Sequence, residues 1–156
     1  MSRKAKITQR RVLPDIRYDD ELLARFINQI MLDGKKTAAE KIVYDALAEV
    51  SGKRGGNSLE VFNEIIDIVG PQVEIKTRRI GGASYPVPQE VRDSRRKSLA
   101  MKWLKIGALK RNGMSMSKKL ALEIFDAFEG KGFAVKKKEE MHKMAEANKA
   151  FAHFKY

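Results

Sequence analysis

The 156-residue chain has no cysteine, one tryptophan and four prolines. Disulfides, thiolate metal sites and cysteine nucleophiles are therefore excluded by inventory, a composition that fits a reducing cytoplasm. Long apolar runs are missing too. No uninterrupted stretch is long enough to span a bilayer, and the basic segment Met1–Leu13 has no apolar core of secretory length. A soluble, cytoplasmic protein with no membrane partner is expected. The chain also lacks internal repeats and linkers, and at 43% hydrophobic residues it is long enough for one core and short for two. Residues 1–156 are expected to form a single domain.

Catalytic constellations are equally scarce. Glu139, His142 and Glu146 stand at i, i+3 and i+7, so Glu-x-x-His could offer two metal ligands. Carboxylate-bridged bundles need two such motifs, and this chain has one, so a solvated charged helix is the reading. Gly130-Lys131-Gly132 and Gly81-Gly82 lack the spacing and the Lys-Ser/Thr pair of a phosphate loop, and they read as a helix stop and a turn. No serine sits in a nucleophile elbow. Neither a cofactor nor an enzymatic activity is expected.

What is abundant is positive charge, and it is segregated. Lys and Arg number 32 against 20 Asp and Glu, a net +12. Residues 1–18 carry +5, residues 19–74 carry −5, residues 75–111 carry +9 and residues 112–156 carry +3. A solubilising surface intersperses its signs, whereas segregation creates a field that attracts and orients a polyanion.

The centre of that field is the segment 73–91, the one convincing strand pattern. Val73, Ile75 and Thr77 alternate with Glu74, Lys76 and Arg78, and Gly81-Gly82 supplies the positive φ angles of a tight hairpin. Pro86 and Pro88 each remove an N–H from the ladder, so the return strand cannot lie inside a wider sheet. A lone hairpin is marginal in water, so something must hold it. Lys76, Arg78 and Arg79 lead up to the turn, and Arg92, Arg95, Arg96 and Lys97 follow the ribbon. Nucleic acid is the first candidate partner.

Elsewhere the periodicity is helical, and about six helices are predicted. Asp19 or Asp20 caps the first, which buries Leu22, Leu23, Phe26, Ile27, Ile30 and Met31 and closes at Asp33-Gly34. Thr37 and Glu40 read as a capping box for the second, with Ser51–Gly56 as a glycine-rich loop. Asn57 and Glu60 repeat the device for the third, which stops at Gly70-Pro71. The fourth, about Arg92 to Lys110, carries Arg95, Lys102 and Lys105 within about 80° of one another, a basic stripe beside Leu99, Trp103 and Ile106. The fifth follows Gly113–Ser117 and ends at Gly130. A sixth runs from about Val135 with a weak stripe of Met141, Met144, Ala145, Asn148, Phe151 and Ala152. Lys136, Lys137 and Lys138 oppose the dipole at its start, a placement that suggests an anion partner.

Phe26, Phe62, Trp103, Phe125 and Phe128 are core residues by their spacing. Tyr85, near the ribbon tip, either stacks on an unpaired base or sugar or packs along the ribbon. Phe151, Phe154 and Tyr156, interleaved with Lys149, His153 and Lys155, suit single-stranded nucleic acid, with fraying as the alternative. His153 is read as a surface or RNA-stacking group.

Three stretches carry a resemblance: Asp33-Gly-Lys-Lys-Thr-Ala-Ala-Glu-Lys-Ile-Val-Tyr44, Arg78-Arg-Ile-Gly-Gly-Ala-Ser-Tyr-Pro-Val-Pro88 and residues 130–156, beginning Gly-Lys-Gly-Phe-Ala-Val and ending His-Phe-Lys-Tyr. The chain resembles the bacterial small-subunit ribosomal protein seven family along essentially its full length. Departures are mild: Pro86 stands where a polar residue is common, and Phe154-Lys155-Tyr156 replaces a common Tyr-Arg-Trp ending. The resemblance implies a non-enzymatic, mainly α fold, a bundle of about six helices with a protruding antiparallel ribbon between helices three and four. It implies binding to the head domain of small-subunit ribosomal RNA, with head and platform ribosomal proteins as neighbours and exit-site tRNA and mRNA nearby. No homo-oligomer is expected.

The expected ribosomal-RNA contacts are Arg3, Lys4, Lys6, Arg10 and Arg11 in a disordered basic tail (1–13), then Lys35 and Lys36. The ribbon and fourth helix supply Lys76, Arg78, Arg79, Gly81, Gly82, Tyr85, Arg92, Arg95, Arg96 and Lys102, and the sixth helix Lys136, Lys137 and Lys138. The C-terminal helix (135–156) is expected to offer Lys143, Lys149, His153, Phe154 and Tyr156 to tRNA or neighbours. Two rival classes need features not found in the chain: a regulator needs a recognition helix and a dimer surface, and a nucleic-acid enzyme needs a metal site or a general acid/base pair.

Overall fold

The computed structural model describes residues 12–154. Asp20 sets the first helix, α1 (Glu21–Ile30): its side chain accepts from the Leu23 N–H at 2.6 Å, and Leu23, Phe26, Ile27 and Ile30 turn into the core. Just before it, the buried carboxylate of Asp15 accepts the N–H groups of Arg17 and Tyr18 and, at 2.5 Å, the Tyr44 hydroxyl. Burial and that bond to Asp15 push the Tyr44 phenol well above its ordinary value. Of the expected tail, only Val12 and Leu13 fall within the described residues.

Helix α2 (Lys36–Arg54) departs from expectation at both ends. The capping box does not form, because the Asp33-Gly34 turn, with both φ angles positive, starts the helix at Lys36 and puts Thr37 inside it. Glu40 instead faces Lys36 at 3.8 Å, one turn along. At the other end the helix continues through Ser51 and Gly52, where a loop is expected. Tertiary contacts override the local preference there: Arg54 pairs with Glu64 at 2.8 Å and lies 3.6 Å over the Phe128 ring, while Lys53 lies over Phe125. Phe125 and Phe128 are accordingly half-buried beneath cations at the edge of the core.

Asn57 caps α3 (Ser58–Val69) by accepting from Leu59 N–H, and Gly70-Pro71 ends it. Its exposed carbonyls find cations from elsewhere. Arg96 donates to Asp67 O at 3.0 Å, and Lys138 donates to Ile68 O at 2.7 Å. The hairpin β1 (Val73–Ile80) and β2 (Ala83–Glu90) follows as a two-stranded sheet, then α4 (Asp93–Lys110), α5 (Met116–Phe128) and α6 (Phe133–Ala147). The C-terminal helix expected over 135–156 is thus two pieces, α6 and a 3-10 segment Lys149–Phe154.

The core lies among all six α-helices, with Phe26 on Phe62 at 5.4 Å between ring centres. Helix α6 enters it through Ala134 and Val135; of its expected stripe only Ala145 is buried, and Met144 is 46% exposed. The first turn of α6 meets the core and its later turns meet the ribbon, which is why a single stripe does not describe it.

One buried carboxylate joins three helices. Glu123 of α5, 1% exposed, accepts from Arg111 Nη2 at 2.7 Å and Nε at 3.1 Å, just past α4, and from Ala134 N–H at 3.0 Å in α6. Gly107 of α4 makes room for it, since a Cβ there would lie 2.5 Å from the carboxylate. Replacing Arg111 by alanine strands that buried charge. We expect a loss of about 3 kcal/mol in chemical denaturation and a melting midpoint lower by roughly 6 to 12 °C.

Candidate nucleic-acid interface

The hairpin turn is built as its glycines demand. Gly81 and Gly82 have φ of 57° and 90°, the two consecutive positive values that match the twist of a two-residue hairpin loop. The register runs from Ile80 opposite Ala83 to Val73 opposite Glu90. Cross-strand partners share a face, so Glu74, Lys76 and Arg78 lie on one side with Gln89, Val87 and Tyr85. That side holds the two buried residues of the ribbon, Val87 and Glu74, whereas Val73 and Ile75 on the other are only half-buried. The ribbon therefore packs with its charged face and keeps its cations at the rim of the contact.

Two clasps hold it. At the base, Val91 N–H donates to Gln72 O, and Gln72 N–H donates to Nε2 of His142 in α6 at 3.1 Å. Further out, the Tyr85 ring packs on Phe151 at 5.6 Å and Phe154 at 5.3 Å between centres. Tyr85 thus packs, on the C-terminal segment and not along the ribbon, and it remains half-buried. Phe151 and Phe154 cover it in place of fraying, and His153 lies against Phe154. His142, read from sequence as part of a solvated helix, is half-buried and works as an acceptor.

The expected cations divide into those turned outward and those engaged within the protein. Arg79, Arg92 and Lys102 are exposed, and Arg78 is half-buried on the ribbon; none has a carboxylate partner among the described residues. Lys35, Lys136, Lys143 and Lys149 are likewise exposed and without one. Lys76 and Arg95 both reach Glu74, at 3.4 and 3.3 Å. Arg96 and Lys138 cover α3, Lys137 pairs with Glu140 at 2.6 Å, and Lys105 donates to the carbonyl of Gln29. The basic stripe of α4 is thus reduced to Lys102 as its freely presented member, flanked by Arg92 and Arg95 at the helix start. Arg3, Lys4, Lys6, Arg10, Arg11 and Tyr156 lie outside the described residues.

Glu74 and Glu123 are the residues that sequence reasoning missed. For Glu74 a signal existed: it is the single acid in strand β1 among three cations. Among the described residues no group of three His, Asp or Glu side chains is placed to hold a metal, and no helix is long and apolar enough to cross a membrane.

A family model for ribosomal protein S7p/S5e matches residues 2–149. The chain belongs to this family. A small ribosomal subunit protein uS7 from Idiomarina loihiensis is 54% identical over 156 residues, covering all of both chains. Proteins of the same description from Xylella fastidiosa (54%) and Paracoccus denitrificans (52%) also match over the full length of both chains. The family is one of ribosomal components and not of enzymes, which answers the absence of catalytic constellations. The mainly helical architecture with its hairpin between α3 and α4 agrees with what the resemblance implies.

The His142 clasp has a pH signature. Burial, with the Lys138 charge adding to it, lowers the imidazole below its ordinary 6.5. The unfolded chain then binds the proton more readily, so stability is complete above that value and is lost as pH falls from it toward the lowered folded value. Melting curves taken from about pH 7 down to about 5.5 should show this loss in the parent protein and a smaller one in His142→Gln.

Proposed function

We propose that this chain is a primary binder of the head domain of small-subunit ribosomal RNA, organising head assembly in the cytoplasmic ribosome. The observation that carries the reading is the outward presentation of Arg78, Arg79, Arg92 and Lys102 on one ribbon-and-helix unit within a chain of the S7p/S5e family. Such cations neutralise phosphates and release counterions, which supplies affinity without reading sequence. Gly81 and Gly82 keep the tip slim: no atom lies within 4 Å of where their Cβ atoms would be. The tip can therefore approach a nucleic-acid backbone closely.

Around that centre, Lys35, Lys36 and Lys136 extend the footprint, with the basic residues Arg3, Lys4, Lys6, Arg10 and Arg11 following RNA grooves. Lys143, Lys149, His153, Phe154 and Tyr156 form a second face toward exit-site tRNA, the mRNA path or neighbouring head and platform proteins. Arg96 and Lys138 serve the protein's own folding more than the RNA, because they close the end of α3 by donating to its backbone carbonyls, and Lys137 is tied to Glu140 on its own helix.

That division is testable by salt titration. The combined change Arg78→Ala and Arg79→Ala should lower the magnitude of the salt slope for head-domain RNA by roughly 0.7 to 1 per contact and leave the melting temperature nearly unmoved. Arg96→Ala with Lys138→Ala should do the opposite, costing about 1 kcal/mol of stability with little change in slope. Co-sedimentation with small ribosomal subunits in a sucrose gradient tests the wider reading, and a free pool at the top of the gradient would contradict it.

A further inference from the structure

Glu74 sits where an RNA-binding surface should not want it. Its side chain is 10% exposed, beneath two cations whose side chains are 59% (Lys76) and 56% (Arg95) exposed. One carboxylate oxygen faces Lys76 Nζ at 3.4 Å, and the other accepts from Arg95 Nε at 3.3 Å. A buried carboxylate is costly unless paired, and among the described residues this one is paired only by groups that would otherwise be free to meet phosphate. The hollow above it is lined by Lys76, Gln89, Glu90, Arg92 and Arg95. Glu90 is exposed at the strand end and pairs with neither cation. A ligand entering the hollow has three cations, Lys76, Arg92 and Arg95, in its lining.

We propose that Glu74 is a positioning residue: it ties the ribbon to the start of α4 and holds Lys76 and Arg95 as a fixed fork for adjacent phosphodiester groups. This rests on the RNA-binding reading above and names the element that organises it. Without the carboxylate, two like charges on long side chains repel and spread, and each must be ordered anew when a phosphate arrives. Arg95 joins Glu74 through Nε, which leaves its terminal amino groups to donate outward.

The test uses the full-length protein and a transcript of the ribosomal-RNA head domain. Removing a negative charge from a phosphate-binding surface should, by Coulomb's law alone, tighten binding. The proposal predicts the opposite sign for Glu74→Gln: binding at least about fivefold weaker, the smallest factor expected when two long side chains must each be re-ordered, with a smaller salt slope. Tighter or unchanged binding by this variant overturns it. The same substitution in a Lys76→Ala, Arg95→Ala background separates positioning from mere support of the ribbon. With the fork gone, Glu74→Gln should cause no further weakening; a second, equal loss there would show that Glu74 acts through the fold, and would overturn the proposal. If the Lys76→Ala, Arg95→Ala protein itself binds with unchanged affinity and slope, the RNA-binding reading of this surface fails, and the fork with it.

Discussion

A ribbon of two eight-residue strands has too little surface of its own to bury, so the position of its cationic tip depends on what grips its base. The rest of the molecule answers that constraint. Val87 is the one fully apolar side chain the ribbon buries, and beside it the grip is polar: Glu74 to Arg95, and Gln72 to His142. The C-terminal 3-10 segment adds Phe151 and Phe154 over Tyr85. These contacts place the hairpin by fixed directions at a few points and leave its tip, Arg79–Ser84, exposed.

The helical body carries that grip back to the core. Helix α6 supplies His142 to the ribbon, Lys138 to the end of α3 and Ala134 to the Glu123 carboxylate, so its placement is set from three sides. Glu123 and Arg111 in turn hold the α4–α5 corner, and α4 begins where the ribbon ends. The chain therefore spends its charge in two ways. Inward-turned cations close helix ends and corners, and outward-turned ones are left for a polyanion. Net charge alone does not distinguish these uses, which is why it predicts a partner class better than it predicts contacts.

The helices, the hairpin and its turn were legible in the sequence because each follows from short-range rules. Apolar residues recur at the helical period, strand residues alternate, and a Gly-Gly pair permits two positive φ angles in succession. The same locality explains what was hidden. The partners of Arg96 and Lys138 lie 29 and 70 residues away, and nothing at positions 96 or 138 announces them. Gly52 reads as a loop until Arg54 is seen lying on Phe128, and Thr37 reads as a cap until Asp33-Gly34 is seen to start the helix earlier. Tyr85 could be assigned two roles from sequence because its cover arrives from the far end of the chain. The family resemblance carried function where local rules could not, through motifs that overlap the α1–α2 turn, the ribbon and α6.

In the RNA-binding role proposed above, the ribbon and the first half of α4 act as one surface. Amide hydrogen exchange on the full chain, with and without a head-domain ribosomal-RNA transcript, tests it most directly. Added protection should concentrate in residues 73–98 and the turn around Lys102, with a smaller gain at the start of α2 around Lys35 and Lys36, while α3 and the rest of α2 should exchange unchanged. Protection centred on α3 and the middle of α2, with the ribbon exchanging as it does in the free protein, would contradict that role.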